Sequence, residues 1–160
     1  MDDPQKRLLI ADLEAQFTII REIDQKLKQR ANPLNPDDEI RLESIAYQIH
    51  NLYGASEGLL QIIAKYCENK ISDSSQWHHL LLKRMMVDVP GIRPAFLDSD
   101  TYAILNSLRG FRHFFRYGYG TTIDYQQLQS NLDKALMVVP KLTACLEEFS
   151  RRIETGAQGQ

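Results

Sequence analysis

The chain has 160 residues, of which 43% are hydrophobic and 25% are charged, and its formal net charge is −2. These values are typical of a single globular domain that is long enough to bury its own core. Because the molecule as a whole is slightly acidic, it is not a generic polyanion-binding protein. A nucleic-acid site would therefore have to be a local basic patch.

The cysteine content and the absence of a long apolar run restrict the chain further. Cys67 and Cys145 are the only cysteines, and no Cys/His metal spacing occurs. Two thiols without a secretion signal predict a reduced, cytoplasmic protein with no metal and no cofactor. No run of about 18 apolar residues exists, so we expect no membrane partner. We expect one domain over residues 1–154 and a flexible tail over 155–160.

The first half of the chain predicts two long helices. Apolar residues recur at helical spacing over residues 4–30, which indicates an amphipathic helix facing a core. A second helix is predicted over residues 35–69, with Asn35 as its N-cap and Pro36 at its first position. Gly54 lies inside that helix, four residues before a second glycine. Either a close approach of another helix or a kink would account for the pair.

The second half predicts three more helices. A short one covers residues 76–87 and carries the adjacent pair His78 and His79, for which a packing or capping role for one and solvent exposure for the other are expected. A loop over 88–94 follows. The next helix runs from about residue 101 to 117 behind an N-cap in the Asp-Ser-Asp run at 98–100.

The last predicted helix completes an all-α fold. It begins after an N-cap at Asp124, runs to about residue 153, and should kink at Pro140. No stretch alternates with period two over a useful length. The sequence therefore predicts an antiparallel bundle of four long helices plus one short helix.

One face of the helix predicted over residues 101–117 carries the candidate functional residues. In the segment LRGFRHFFRYGYG, helical spacing places these residues together: Arg109, Arg112, His113, Arg116 and Tyr117. Like charges at that spacing cost roughly 0.2–0.5 kcal/mol per pair on an isolated helix. A phosphate-bearing partner would offset that cost, and so would carboxylates supplied by other helices. The interleaved aromatic residues favour a site, with Arg109 and Arg116 as phosphate-binding residues.

The residue types on this face suit one chemistry in particular. No P-loop, dinucleotide-binding glycine pattern, serine nucleophile elbow or zinc-protease motif is present. Arg, His and Tyr side chains suit metal-independent attack on an RNA phosphodiester. Arginines stabilise the developing charge, and an imidazole moves the proton of the 2′-hydroxyl or of the leaving group. Aromatic side chains could stack on single-stranded or loop RNA.

Three segments resemble a known family. They are LYGASEGLLQIIA at 52–64, WHHLLLKRM at 77–85 and LRGFRHFFRYGY at 108–119. Together they are similar to the HEPN superfamily, in particular to HepT-like toxins paired with minimal nucleotidyltransferase antitoxins. The resemblance implies an up-and-down helical bundle and a homodimer that cleaves RNA without metal in a cleft between its subunits. It also implies a cognate nucleotidyltransferase partner that silences the toxin by attaching AMP to a tyrosine.

The family motif consists of Arg, a polar residue, three further residues, His, any residue and Tyr, and it assigns roles residue by residue. Arg112 takes the arginine position and His113 the polar position that follows it. Tyr117 stands where the family has histidine, and Tyr119 is the final tyrosine, the residue that would accept AMP. The resemblance therefore implies Arg112, His113 and Tyr117 as the catalytic set. An adenylate at Tyr119 would add negative charge and bulk to a helix face meant for RNA phosphate.

Tyr117 is a departure from the family pattern, because a phenol with a pKa near 10 is a poor base at neutral pH. Three explanations are open. The protein is a weakened or binding-only member, His113 has taken over the proton transfer, or a His-to-Tyr change has inactivated the chain. The AMP acceptor is likewise open, since Tyr117 and Tyr125 are alternatives to Tyr119.

Three functions follow from these observations. The first is an RNA-cleaving toxin that acts as a homodimer. The second is a catalytically inactive module that docks a nucleotidyltransferase, which Tyr117 favours. The third is a helical scaffold with a solvated basic face, which requires the family likeness to be accidental.

Overall fold

The computed structural model describes residues 1–31, 33–69, 76–117 and 123–156, and the side chains of these residues other than those of 114–117. The described ranges form six α-helices and no β-strand, which confirms the predicted all-α bundle. The helices are α1 (Asp3–Ala31), α2 (Glu39–Glu68), α3 (Trp77–Arg84), α4 (Ser99–Tyr117), α5 (Tyr125–Leu136) and α6 (Val138–Thr155). None of them is long and apolar enough to cross a bilayer.

α1 and α2 pack side by side and antiparallel. The Tyr66 hydroxyl donates to Asp12 Oδ2 at 2.5 Å near one end of the pair, and Arg30 donates to Ser44 at 3.1 Å near the other. Between these contacts each helix contributes a fully buried apolar stripe, because its apolar residues recur every three or four positions. The buried residues at the centre of this contact are Leu13, Phe17, Ile20, Ile45, Ile49 and Leu52.

The two glycines inside α2 have different surroundings. Gln16 of α1 reaches over α2 and donates to the Ala55 carbonyl at 2.9 Å. A Cβ at Gly58 would lie 2.8 Å from the Gln16 amide nitrogen, so a close helix approach does account for this glycine. A Cβ at Gly54 would meet no described atom within 4 Å, so the same explanation fails there.

α2 begins later than the sequence predicts. Its N-cap is Asp38, whose side chain accepts from the Arg41 backbone N–H at 3.1 Å. Asn35, the predicted cap, instead accepts from the Asp37 N–H at 2.9 Å and so closes a turn before the helix. The assignment of Asn35 was wrong because Asn and Asp compete for capping within one short run. The predicted end is confirmed, since Asn69 adopts the left-handed conformation that terminates α2.

The caps of α4 and α5 lie where the sequence places them, but the last helix is broken. The side chains of Asp98 and Asp124 each accept a backbone N–H three residues further on, at 2.7 and 3.1 Å. The predicted single helix is interrupted at Met137, so α5 and α6 are its two halves. Pro140 cannot donate to the carbonyl of Leu136, and its ring crowds that carbonyl, so a break replaces the predicted kink.

A buried arginine ties the α3–α4 connection to the end of α2. Arg93 is fully buried, and its guanidinium contacts Glu68 Oε1 at 2.7 and 2.8 Å. It also donates to the carbonyls of Arg84, Val87 and Pro94 at 3.0–3.1 Å. Because α3 ends at Arg84 rather than near Val87, the carbonyls of Arg84 and Val87 are available to accept from Arg93. This contact fixes α3 beside α2 and α4.

Candidate functional site

The basic face of α4 lies beside its buried apolar face. Leu105, Leu108 and Phe111 of this apolar face are buried. Helical spacing then places Arg109 and Arg112 at the edge of that core. Arg112 contacts Glu57 and Tyr53 and so faces α2.

Arg112 is held by two residues of α2. Its Nη1 lies 3.8 Å from Glu57 Oε2, and its Cζ lies 5.6 Å from the centroid of the Tyr53 ring. The side chain is 22% exposed, and its Nε is buried without a hydrogen-bond partner among the described residues. The Arg112 guanidinium is therefore positioned by a carboxylate and an aromatic face while donor capacity is left over.

Glu57 connects three helices through one carboxylate. It lies on α2, and its side chain is only 6% exposed. Its Oε2 faces Arg112 of α4, while its Oε1 lies 2.6 Å from Nδ1 of His78 on α3. Gln61 of α2 also donates to Oε1 at 3.4 Å. Oε2 makes no hydrogen bond among the described residues, and Arg112 balances its charge at ion-pair distance.

The adjacent histidines of α3 do not divide as the sequence predicts. His78 neither caps α3, whose N-cap is Gln76, nor packs as a plain core residue. It remains 34% exposed while bonded to Glu57. His79 is half-buried, and its Nδ1 makes no hydrogen bond within the described part of the chain. Neither histidine is fully exposed as expected, although about a third of the His78 side chain is accessible to solvent.

Tyr53 is kept neutral by its surroundings. Burial raises the pKa of the Tyr53 phenol most strongly, and the neighbouring Glu57 carboxylate raises it further against the opposing charges of Arg109 and Arg112. The ring therefore offers Arg112 an uncharged aromatic face throughout the physiological pH range. The Tyr53 ring lies against the Arg112 guanidinium.

Arg109 extends the positive face by one helical turn. It donates to Asn106 Oδ1 from Nε at 3.2 Å and from Nη2 at 3.1 Å. Asn106 is a neutral acceptor, so it orients Arg109 without cancelling its charge. Of the two arginines Arg109 and Arg112, only Arg112 is paired with a carboxylate among the described residues. This pair of guanidiniums therefore keeps a net positive charge, although a carboxylate from another helix relieves part of the repulsion.

The remaining residues assigned from the sequence are only partly described. The backbone of Arg116 and Tyr117 belongs to the last turn of α4, but their side chains lie outside the description. Tyr119 lies outside the described residues altogether. His113 is exposed on α4. In the described ranges no three His, Cys, Asp or Glu side chains are grouped so as to hold a metal ion.

Sequence reasoning missed three residues of this site: Tyr53, Glu57 and His78. Two of them carry a sequence signal, because Tyr53 and Glu57 lie four apart in the segment 52–64 and thus share a helix face. Periodicity predicts whether such a face is buried or exposed. It does not predict which polar group on another helix will contact it.

The family of this bundle is shown by a comparison with family models. The model for "HepT-like protein" matches residues 44–153, which is more than half of the chain. The chain therefore belongs to the HepT-like family of the HEPN superfamily, as its motifs suggested. Toxin–antitoxin pairing is the known context of this family, which is associated with a nucleotidyltransferase partner. No curated protein and no solved structure matches the chain.

Proposed function

We propose that this protein is the RNA-cleaving toxin of a toxin–antitoxin pair and that its partner is a nucleotidyltransferase. Family membership supports this proposal, because the matched region contains the whole motif from Arg112 to Tyr119. The observation that carries it is the placement of Arg112, a partly exposed guanidinium fixed by Glu57 and Tyr53 on a face that remains positive. A site of that kind suits a phosphodiester anion.

Arg112 and Arg109 would bind the scissile phosphate. Since Glu57 and Tyr53 already hold Arg112, little side-chain reorganisation is required when charge develops on the phosphate oxygens. Arg109 would contribute a second guanidinium from the preceding turn of α4, and Arg116 a third from the following turn. The expected reaction is attack of the RNA 2′-hydroxyl on the adjacent phosphorus atom, without a metal ion.

Proton transfer in this reaction would fall to His113 or Tyr117 on the motif assignment. His113 is exposed to solvent, as a group that meets substrate must be. Tyr117 is suited to donating a hydrogen bond or a proton rather than to accepting one. The structure describes the position of the first side chain and only the backbone of the second.

Regulation would occur at the end of α4. AMP attached to Tyr119 would bring a phosphate anion and a nucleoside to the basic face, where it would compete with RNA for Arg112. Tyr117 and Tyr125 are the alternative acceptors. We further propose that two copies form the complete cleft, which agrees with the usual dimerisation of HEPN domains.

A catalytically inactive docking module is the second candidate function. The residue that favours it is Tyr117, because the family histidine is the expected base and this chain lacks it. Such a module would bind its nucleotidyltransferase tightly and would not cleave RNA at any pH.

An RNA cleavage assay separates the two functions. Purified protein, Arg112→Ala and Tyr117→His are each incubated with labelled single-stranded RNA, with and without EDTA, and Arg151→Ala serves as a matched control on an exposed arginine of α6. Cleavage that resists EDTA and disappears only in Arg112→Ala is the expected result. Activity in Tyr117→His alone would indicate a site disabled at one residue. If none of the four proteins cleaves the RNA, the toxin proposal is refuted and the docking module is favoured.

A further inference from the structure

We infer that His78 is the proton acceptor of this site and that Glu57 is the residue that positions it. The inference rests on the proposed RNA cleavage and adds a catalytic residue from a different helix to it. It accounts for how a chain with tyrosine at position 117 can retain an imidazole for the reaction.

The geometry around Glu57 carries the inference. One carboxylate group contacts both partners: Oε1 lies 2.6 Å from His78 Nδ1, and Oε2 lies 3.8 Å from Arg112 Nη1. The imidazole and the guanidinium are therefore held on the same side chain, on helices α3 and α4 that both pack against α2. Such an arrangement places a proton acceptor beside a phosphate-binding group, which is the layout that general-base catalysis requires.

The hydrogen bond to Glu57 also defines which ring nitrogen is available. A carboxylate accepts, so the neutral imidazole donates its Nδ1–H to Oε1 and keeps an unprotonated Nε2. The His78 side chain is 34% exposed, whereas the Glu57 side chain is 6% exposed. The carboxylate is thus almost completely buried, whereas the imidazole bonded to it is partly accessible to solvent. A buried acid that orients an imidazole is the base–orienter pair of many hydrolytic enzymes.

The proposed step balances without any further reactant. Nε2 of His78 takes the proton of the RNA 2′-hydroxyl, and the 2′-oxygen forms a bond to phosphorus. The bond from phosphorus to the 5′-oxygen breaks, and that oxygen takes a proton from water. The products are a 2′,3′-cyclic phosphate and a 5′-hydroxyl, and the imidazolium then returns its proton to water. Arg112 binds the phosphate oxygens throughout.

The test uses single-turnover cleavage of labelled single-stranded RNA by the full chain and three variants. His78→Gln should slow cleavage by about 10²- to 10⁴-fold, the usual contribution of a general base. Glu57→Gln should also slow it, since the ring loses its orienting charge and Arg112 loses its carboxylate partner. His79→Gln is the matched control, because it removes the neighbouring imidazole that does not contact Glu57, and it should cleave at the rate of the unaltered chain.

Two further readouts separate a catalytic role from a structural one. RNA binding by His78→Gln, measured by fluorescence anisotropy, should equal that of the unaltered chain. Added imidazole should restore part of the cleavage by His78→Ala, which no structural role would allow. Wild-type rates in His78→Gln, with cleavage still abolished by Arg112→Ala, would overturn this inference and leave the proposed function intact. Absence of cleavage by the unaltered chain would overturn both.

Discussion

Replacing Arg93 by alanine should be among the most destabilising single changes in this bundle, although Arg93 lies outside the candidate site. Its side chain is fully buried and makes two contacts to Glu68 Oε1 and three hydrogen bonds to backbone carbonyls. Arg93→Ala removes all five at once. The three carbonyls and one carboxylate oxygen then lose buried donors, and the chain that connects α3 to α4 loses its attachment to α2.

The expected loss of unfolding free energy is about 3–5 kcal/mol, the range for breaking a buried ion pair by removing one partner. The lower part of that range is favoured, because Arg84 still contacts the other oxygen of Glu68. With a urea m-value of about 2 kcal/mol/M, this loss corresponds to a midpoint lower by about 1.5–2.5 M. A domain with about 5–15 kcal/mol of total stability would remain folded in buffer but would be markedly weakened.

The loss of unfolding free energy in Arg93→Ala should depend on pH, because it depends on the ionisation of the Glu68 carboxyl. Burial raises the pKa of this carboxyl, but the hydrogen bond from Arg84 and the charge of Arg93 outweigh burial and lower the pKa below its ordinary value. A lowered folded-state pKa means that the ion pair stabilises the fold above the ordinary pKa of 4.5 and stops doing so as the pH falls through the folded-state value. The difference between the unaltered chain and Arg93→Ala should therefore shrink in acid.

Urea unfolding followed by circular dichroism measures both effects. Arg151→Ala is the matched control, since Arg151 is exposed and pairs only with Glu148 one turn away among the described residues, so its midpoint should not move measurably. If the urea midpoint of Arg93→Ala is as close to that of the unaltered chain as the midpoint of Arg151→Ala is, the structural role assigned to Arg93 is refuted.

Three further changes test the helix caps and glycines. Asp98→Asn should lower the unfolding free energy near pH 7 and flatten its fall in acid. The backbone N–H of Thr101 lowers the pKa of Asp98, so the carboxylate stabilises α4 above its ordinary pKa, and the neutral amide lacks this pH-dependent contribution. Urea midpoints measured down to about pH 3 would show both effects. Gly54→Ala should raise the unfolding free energy by about 0.4–1 kcal/mol, because a Cβ there meets open space. Gly58→Ala should gain less in the same urea titrations, since its Cβ displaces Gln16, and an equal gain would contradict the close approach.

The helices were predictable from the sequence because they depend on local signals. Apolar spacing every three or four residues predicted α1, α2 and α4, and the aspartates at 98 and 124 predicted two helix starts. The errors occurred where two local signals compete. Asn35 and Asp38 are both good caps, and only packing decides between them. Pro140 predicts a disturbance of the last helix but not how large the disturbance is.

The candidate site was only partly predictable from the sequence, since some of its residues lie on α4 and the others come to it from α2 and α3. Arg109 and Arg112 share a face of α4 by spacing alone, which a helical pattern shows directly. Glu57 and His78 come to that face from α2 and α3, and no periodicity places them there. From the sequence alone, the repulsion between the clustered arginines of α4 indicates a negatively charged ligand. The structure adds the buried Glu57 carboxylate, which relieves part of this repulsion and contacts both His78 and Arg112.

The measurement that tests the central proposal most directly is the chemical identity of the RNA ends produced by the unaltered chain. Attack by the 2′-hydroxyl, with Arg112 on the phosphate, predicts fragments ending in 2′,3′-cyclic phosphate paired with fragments that begin with a 5′-hydroxyl. Mass spectrometry of the products distinguishes these from 5′-phosphate ends. Cyclic phosphate ends that disappear with Arg112→Ala are the predicted result. Fragments with 5′-phosphates, or the same fragments from Arg112→Ala, would contradict the proposed site.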